Sequence, residues 1–136
     1  MIDRERIKKR FESQEFRKFV GINLESIEEG EITVSLDWRK EITQNSGYIH
    51  GGMVTALADL ACGMTAFSTV DEGQEVVTVE LKINFLRPAT SKKIYAKSKL
   101  LKRGRTVIVI EAEVFNHDDN KMIAKCITTF TPIVAK

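Results

Sequence analysis

The stretch from Gly51 to Val70 most restricts how this chain can fold. Met53, Val54, Ala56, Leu57, Leu60, Met64 and Phe67 recur at helical spacing and cover most of a helix circumference. A helix apolar nearly all round has no face to offer water, so it must be buried. Its small residues, among them Gly51, Gly52, Ala58, Ala61, Gly63 and Ala66, let other backbone approach closely. The rest of the fold has to be built around this segment.

The chain beyond Val70 reads as strand. Val77, Val79, Leu81, Ile83 and Phe85 share one face of 75–86, and Ile94, Ala96, Ser98 and Leu100 one face of 92–101. Ile108, Ile110, Ala112 and Val114 do the same in 105–115, as do Met122, Ala124, Cys126, Thr128 and Phe130 in 121–131. The turns at Arg103-Gly104 and His117–Asn120 are short, so the strands they join are antiparallel. Before the buried helix, Ile22–Ile27 and the alternation Ile32, Val34, Leu36, Trp38 predict two more strands, with a polar loop over 39–49 after them. Residues 3–20 read as one amphipathic helix (an N-terminal helical segment, 1–20) on Ile7, Phe11, Phe16, Phe19 and Val20, with Gly21 as its stop. The order of elements predicts an α+β fold, an antiparallel sheet curled round one long central helix. At 136 residues, 1–136 is expected to be a single domain. A long edge strand at 121–131 would favour pairing with another copy.

Composition narrows the function classes. A net charge of +2 with scattered basic residues argues against nucleic acid. The only histidines, His50 and His117, cannot build a multi-histidine metal site. Cys62 and Cys126 lie in apolar stretches without a CxxC pattern and read as reduced core thiols. The N-terminus is charged and lacks an apolar signal core, and Asp59 argues against reading 51–70 as a membrane span, so a cytoplasmic location is expected.

Chemistry concentrates between Gln44 and Asp59. Carboxylates are seldom buried without a partner, and no Lys or Arg lies within 51–70 to pair with Asp59. Asp59 is either a site acid or a structural acid bonded to a backbone amide or strand hydroxyl. His50-Gly51-Gly52 opens the helix, where free amides and the positive end of the helix dipole can polarise a carbonyl. The glycine pair also serves tight packing equally well. Nine residues of helix span roughly 13 Å. Asp59 therefore cannot reach a carbonyl held at the start of its own helix. If both act on one carbonyl, one of them comes from a second subunit, as a two-fold dimer with antiparallel helices would supply.

Three features together resemble the hotdog-fold thioesterases of the phenylacetate-pathway (PaaI-like) type. They are Gln44-x-x-Gly47-x-x-His50-Gly51-Gly52, Asp59 nine residues after His50, and Val79-Glu-Leu-Lys-Ile-Asn-Phe-Leu-Arg87-Pro88. The Arg103-Gly104-Arg105 turn also fits, and the likeness runs from about residue 20 to the C-terminus. The resemblance implies hydrolysis of an acyl-CoA thioester without metal or bound cofactor, coenzyme A being part of the substrate. It implies a homodimer as the minimal unit and a homotetramer as the expected assembly. Gly51 would donate its N–H to the thioester carbonyl, and Asp59 of the other subunit would act as nucleophile or base. Gln44 would orient water or thioester, and the Thr78 hydroxyl would assist the water. His50 would order the loop and, with Gly52, border the substrate. Arg87, Arg103 and Arg105 would meet the coenzyme A phosphates, unless they are solvated turn residues. Two other readings stand beside this one: a non-catalytic acyl-CoA binding module, and a hydratase or dehydratase of the same fold.

Overall fold

The computed structural model describes residues 2–136. The elements are α1 (Arg4–Ser13), α2 (Glu15–Val20), β1 (Ile22–Glu28), β2 (Glu31–Asp37), a 3-10 turn (Lys40–Ile42), α3 (Gly51–Phe67), β3 (Gln74–Phe85), β4 (Lys93–Arg103), β5 (Ile108–Asn116) and β6 (Met122–Val134). The strands form one antiparallel sheet in the order β1-β2-β4-β5-β6-β3, and α3 packs against β2 through β6. This is the predicted α+β arrangement, with the sheet wrapped round a central helix.

Alternation places the core as expected in four strands. Ile32, Val34 and Leu36 of β2, Ile94 and Ala96 of β4, Ile108, Ile110 and Ala112 of β5, and Ala124, Cys126 and Phe130 of β6 are buried against α3. Ser98 Oγ lies 2.5 Å from Thr65 Oγ1 and donates to Ile32 O at 3.0 Å, so a buried hydroxyl pair ties the helix to the sheet. Cys62 and Cys126 are both free and buried. No described helix is long and apolar enough to cross a membrane.

Four expectations are corrected. Residues 3–20 form two helices, because Gln14 is extended (φ −77°, ψ 116°) between α1 and α2. At about 100° per residue, Val20 on a continuous helix would point away from Ile7 and Phe11. The break turns Val20 into the core with them and leaves Phe16 and Phe19 exposed. The helix at 51–70 stops at Phe67, where the Ser68 and Thr69 hydroxyls bond back to Thr65 O and Ala66 O. The predicted single face of 75–86 is split, because the β3–β6 register shifts between Thr78 and Glu80. Val76 and Thr78 face α3 before this bulge, and Val77 and Val79 are left on the exposed side. Finally, β6 is no edge. It lies between β5 and β3, and β3 is the long edge strand.

Candidate active site

The loop before α3 is locked before the helix begins. Trp38 Nε1 donates to Gly47 O at 2.9 Å, Gly47 takes a positive φ of 86°, and His50 N donates to Ile42 O at 2.8 Å. His50 then caps α3 with its side chain, Nδ1 accepting the Gly52 N–H at 2.8 Å. A Cβ on Gly52 would stand 3.0 Å from that nitrogen, so a glycine is what lets the imidazole fold over the helix end. The Met53 and Val54 amides bond His50 O. Of the first-turn amides, that of Gly51 donates to no described group.

Gly51 faces a hollow of about 330 Å³ that Gln44, Tyr48, Phe85 and Arg87 also line. The Phe85 ring comes within 3.4 Å of where a Cβ on Gly51 would lie. Gln44 uses its Oε1 to accept the Ser46 N–H in the local turn, and Arg87 donates from Nη1 to Met122 O at 2.7 Å.

Asp59 lies half-buried in a second cavity of about 400 Å³, among Leu60, Gly63, Met64, Val76, Thr78 and Phe130. Thr78 Oγ1 donates to Asp59 Oδ1 at 3.2 Å. Burial pushes the Asp59 carboxyl above its usual range, and the Thr78 hydrogen bond partly opposes this. Thr78 reaches Asp59 because the β3 bulge turns it inward. Unbroken alternation would place it on the face opposite Leu81 and Ile83.

The two cavities share no lining residue. The structure brings Asp59 and Thr78 together, and Gly51, Gln44 and Arg87 together, with Gly52 and His50 at the same helix end. It keeps the two groups apart. Arg103 lies at the other end of α3, where its Nε donates to Thr69 O at 3.4 Å, and the exposed Arg105 lies in the same turn. One chain therefore cannot place Arg87 and Arg103 on one ligand beside Gly51.

Sequence reasoning missed the contribution of α1 and α2. Arg10, Gln14 and Phe16 line the Asp59 cavity. Arg10 pairs with Glu75 Oε1 at 2.5 Å and stacks 4.7 Å from the Phe67 ring. Phe16 also borders another, apolar hollow of about 340 Å³ with Phe19 and Met53. The available signal was Phe16 itself, which lies opposite Ile7 on any continuous helix.

The thioesterase superfamily profile matches residues 46–123, more than half of the chain. The chain belongs to the thioesterase superfamily. Its relatives agree with that placement. A Saccharolobus solfataricus protein provisionally named an esterase is 37% identical over 110 residues, covering 81% of this chain and 77% of that one. Human acyl-coenzyme A thioesterase 13 is 28% identical over 124 residues, covering 90% and 88%. A solved thioesterase family protein from Silicibacter pomeroyi superposes with a TM-score of 0.90 at 29% identity, covering 95% and 96%. The Escherichia coli PaaI protein shares the fold, with a TM-score of 0.85 at 24% identity over 95% and 91% of the two chains. The fold is the hotdog fold, and membership makes this chain a hydrolase.

Proposed function

We propose that the chain hydrolyses an acyl-CoA thioester to a carboxylic acid and coenzyme A, at sites shared between two subunits. The observation that carries this reading is the division of the site. A free amide at a helix N-terminus and a desolvated carboxylate with a hydroxyl partner lie in separate cavities of one chain. Each is half of a hydrolytic centre.

The exposed edge of β3 is the surface we assign to the pairing. It leaves Val77 and Val79 exposed at 42% and 61%, on a strand with no further neighbour. Antiparallel self-pairing about a two-fold axis near Leu81 and Lys82 sets Thr78 of one protomer opposite the partner's Phe85. That carries Asp59 toward the partner's Gly51. The same operation brings the partner's Arg103 and Arg105 toward the Gly51 end, where Arg87 already lies. All three then border the coenzyme A phosphates of one site. The homodimer is the minimal unit, and a homotetramer would be a pair of such dimers.

In this centre the Gly51 N–H stabilises the oxyanion as water adds to the carbonyl carbon. Asp59 takes the proton of that water, and Gln44 and Thr78 orient the reactants. The C–S bond then breaks, and the departing thiolate of coenzyme A recovers the proton. A raised pKa makes Asp59 a stronger base than an exposed carboxylate. In the covalent route Asp59 attacks instead, and water opens the resulting anhydride. When water opens that anhydride at the Asp59 carboxyl carbon, a single turnover in ¹⁸O-water leaves label in Asp59, whereas the first route sends all of the label into the product acid. His50 and Gly52 shape the helix end that the thioester meets.

The deciding experiment measures thiol release from short, medium, long and aromatic acyl-CoAs with wild type and Asp59→Ala. Release by wild type alone is the expected outcome. Tight acyl-CoA binding without release by either would leave the non-catalytic binding module in its place.

A further inference from the structure

The turn that carries Gln44 has a shape of its own and little to hold its direction. Gln44 N donates to Tyr48 O and Gly47 N to Gln44 O, both at 2.9 Å, and Gln44 Oε1 accepts the Ser46 N–H. These bonds all lie within 44–48, so they would survive if the turn swung as a body. The loop is rooted at its base, where Ile42 and Ile49 are buried and Thr43 bridges to Ile49. Residues 45–48 are exposed, so burial in the core does not fix where they point. Among the described residues, one hydrogen bond joins 44–48 to the rest of the chain. It is the bond from the Trp38 indole Nε1 to Gly47 O at 2.9 Å.

Trp38 is itself firmly placed. It follows the last residue of β2, and its backbone N–H donates to Lys92 O at 2.7 Å, extending the β2–β4 ladder beyond the Asp37–Lys93 pair. Lys92 Nζ lies 4.2 Å from the centroid of its ring, a cation–π contact across the indole face. A ring held by its backbone and over its face is a fixed post, and one N–H on it sets the angle of an exposed turn. What that turn presents is the Gln44 carboxamide, on the wall of the Gly51 hollow, with its NH2 bonded to no described group.

Resting on the reading of this chain as an acyl-CoA hydrolase, we propose that Trp38 is a positioning residue of the active site. Its indole N–H pins the 44–48 turn and so holds the Gln44 carboxamide against the thioester at Gly51. Trp38 touches no reactant and acts through Gln44.

Trp38→Phe deletes the N–H and keeps an aromatic face for Lys92. Should that variant fail to fold, the N–H can be removed alone, because Trp38 is the only tryptophan in the chain. Incorporating the benzothienyl analogue of tryptophan puts sulfur in place of the ring N–H and preserves the shape of the ring. In either protein kcat is expected to fall by about tenfold or more, with KM held within about threefold. In a Gln44→Ala background the same deletion is expected to cost less than about twofold, because the group it positions is gone. An unchanged kcat in the protein lacking the N–H overturns the proposal. So does a full loss repeated on top of Gln44→Ala, which would make Trp38 a structural residue only. If wild type releases no thiol from any acyl-CoA, the hydrolase reading fails instead. The pin is then read from backbone ¹⁵N order parameters over 44–48, which are expected to drop when the N–H is deleted. Unchanged order there overturns it.

Discussion

The Gly51 hollow and the Asp59 cavity lie along one helix and are held in opposite ways. At Gly51 the working group is backbone, and a local device sets its position. A capping imidazole, a glycine that makes room for it and a tethered loop fix where the helix begins. At Asp59 the working group is a side chain, and its character depends on elements far away in sequence. Thr78 arrives from β3 through a bulge, and α1 and α2 close the wall. A site half made of backbone resists side-chain substitution. A site half made of a desolvated acid is sensitive to it and carries a penalty in stability.

The largest effect that tests this contrast is at the acid. Asp59→Asn is expected to lower turnover by at least about 100-fold, the scale of removing a positioned acid or base. It is also expected to raise Tm at neutral pH. Folding raises the Asp59 pKa, so the proton is held more tightly in the native state. The stability this contributes is complete below the unfolded carboxylate range and is lost as pH rises through the folded pKa. At neutral pH the charged acid opposes folding, and an amide removes that opposition. A circular-dichroism melt beside the thiol assay reads both outcomes, and a variant that is both destabilised and active would undo the contrast.

At the other half, Gly51→Pro deletes the N–H while keeping a residue favoured at the first helical position. His50 already has the extended backbone that precedes proline (φ −59°, ψ 139°). Turnover is expected to fall by about 100-fold, the scale of losing one oxyanion donor, with little change in Tm. Mixing Asp59→Ala chains with Gly51→Pro chains sharpens the comparison further. Half of the exchanged dimers are mixed, and each holds one intact site of two, so about a quarter of wild-type activity should return. No recovery after proven subunit exchange would refute the shared site.

Two smaller effects are expected. Thr78→Val removes the hydrogen bond that opposes the upward shift of Asp59. About a tenfold loss of kcat is expected, with the acid limb of the pH–rate profile displaced to higher pH. An unmoved limb would mean that Thr78 does not act through the acid. His50→Ala removes the cap of α3, which should lower stability by about 1 kcal/mol in urea unfolding. Its effect on turnover is expected to stay within about threefold.

Legibility in the sequence tracked locality. The buried helix, the inward faces of β2, β4 and β5, and the glycine-rich start of α3 were readable, because each is set by a spacing of two, three or four residues. Asp59 stood out because a carboxylate on an all-apolar helix demands a partner. A strand hydroxyl was one of the partners the residues allowed, but Thr78 was singled out only through resemblance, and there to assist the water, since unbroken alternation of Val77, Val79, Leu81, Ile83 and Phe85 hides the bulge that turns it inward. The kink at Gln14 was half visible, because Ile7, Phe11 and Val20 cannot share one face of a continuous helix.

Periodicity alone therefore determined that this chain wraps an antiparallel sheet round one apolar helix carrying a single acid. It determined as well that helix start and acid stand too far apart to serve one carbonyl in one subunit. Tertiary structure decided which strand is the edge, where β3 slips register, and which N-terminal side chains wall the acid. Those outcomes arise from packing between segments distant in sequence. A one-residue bulge or a single extended residue is inexpensive locally, and what selects it is the burial it permits elsewhere.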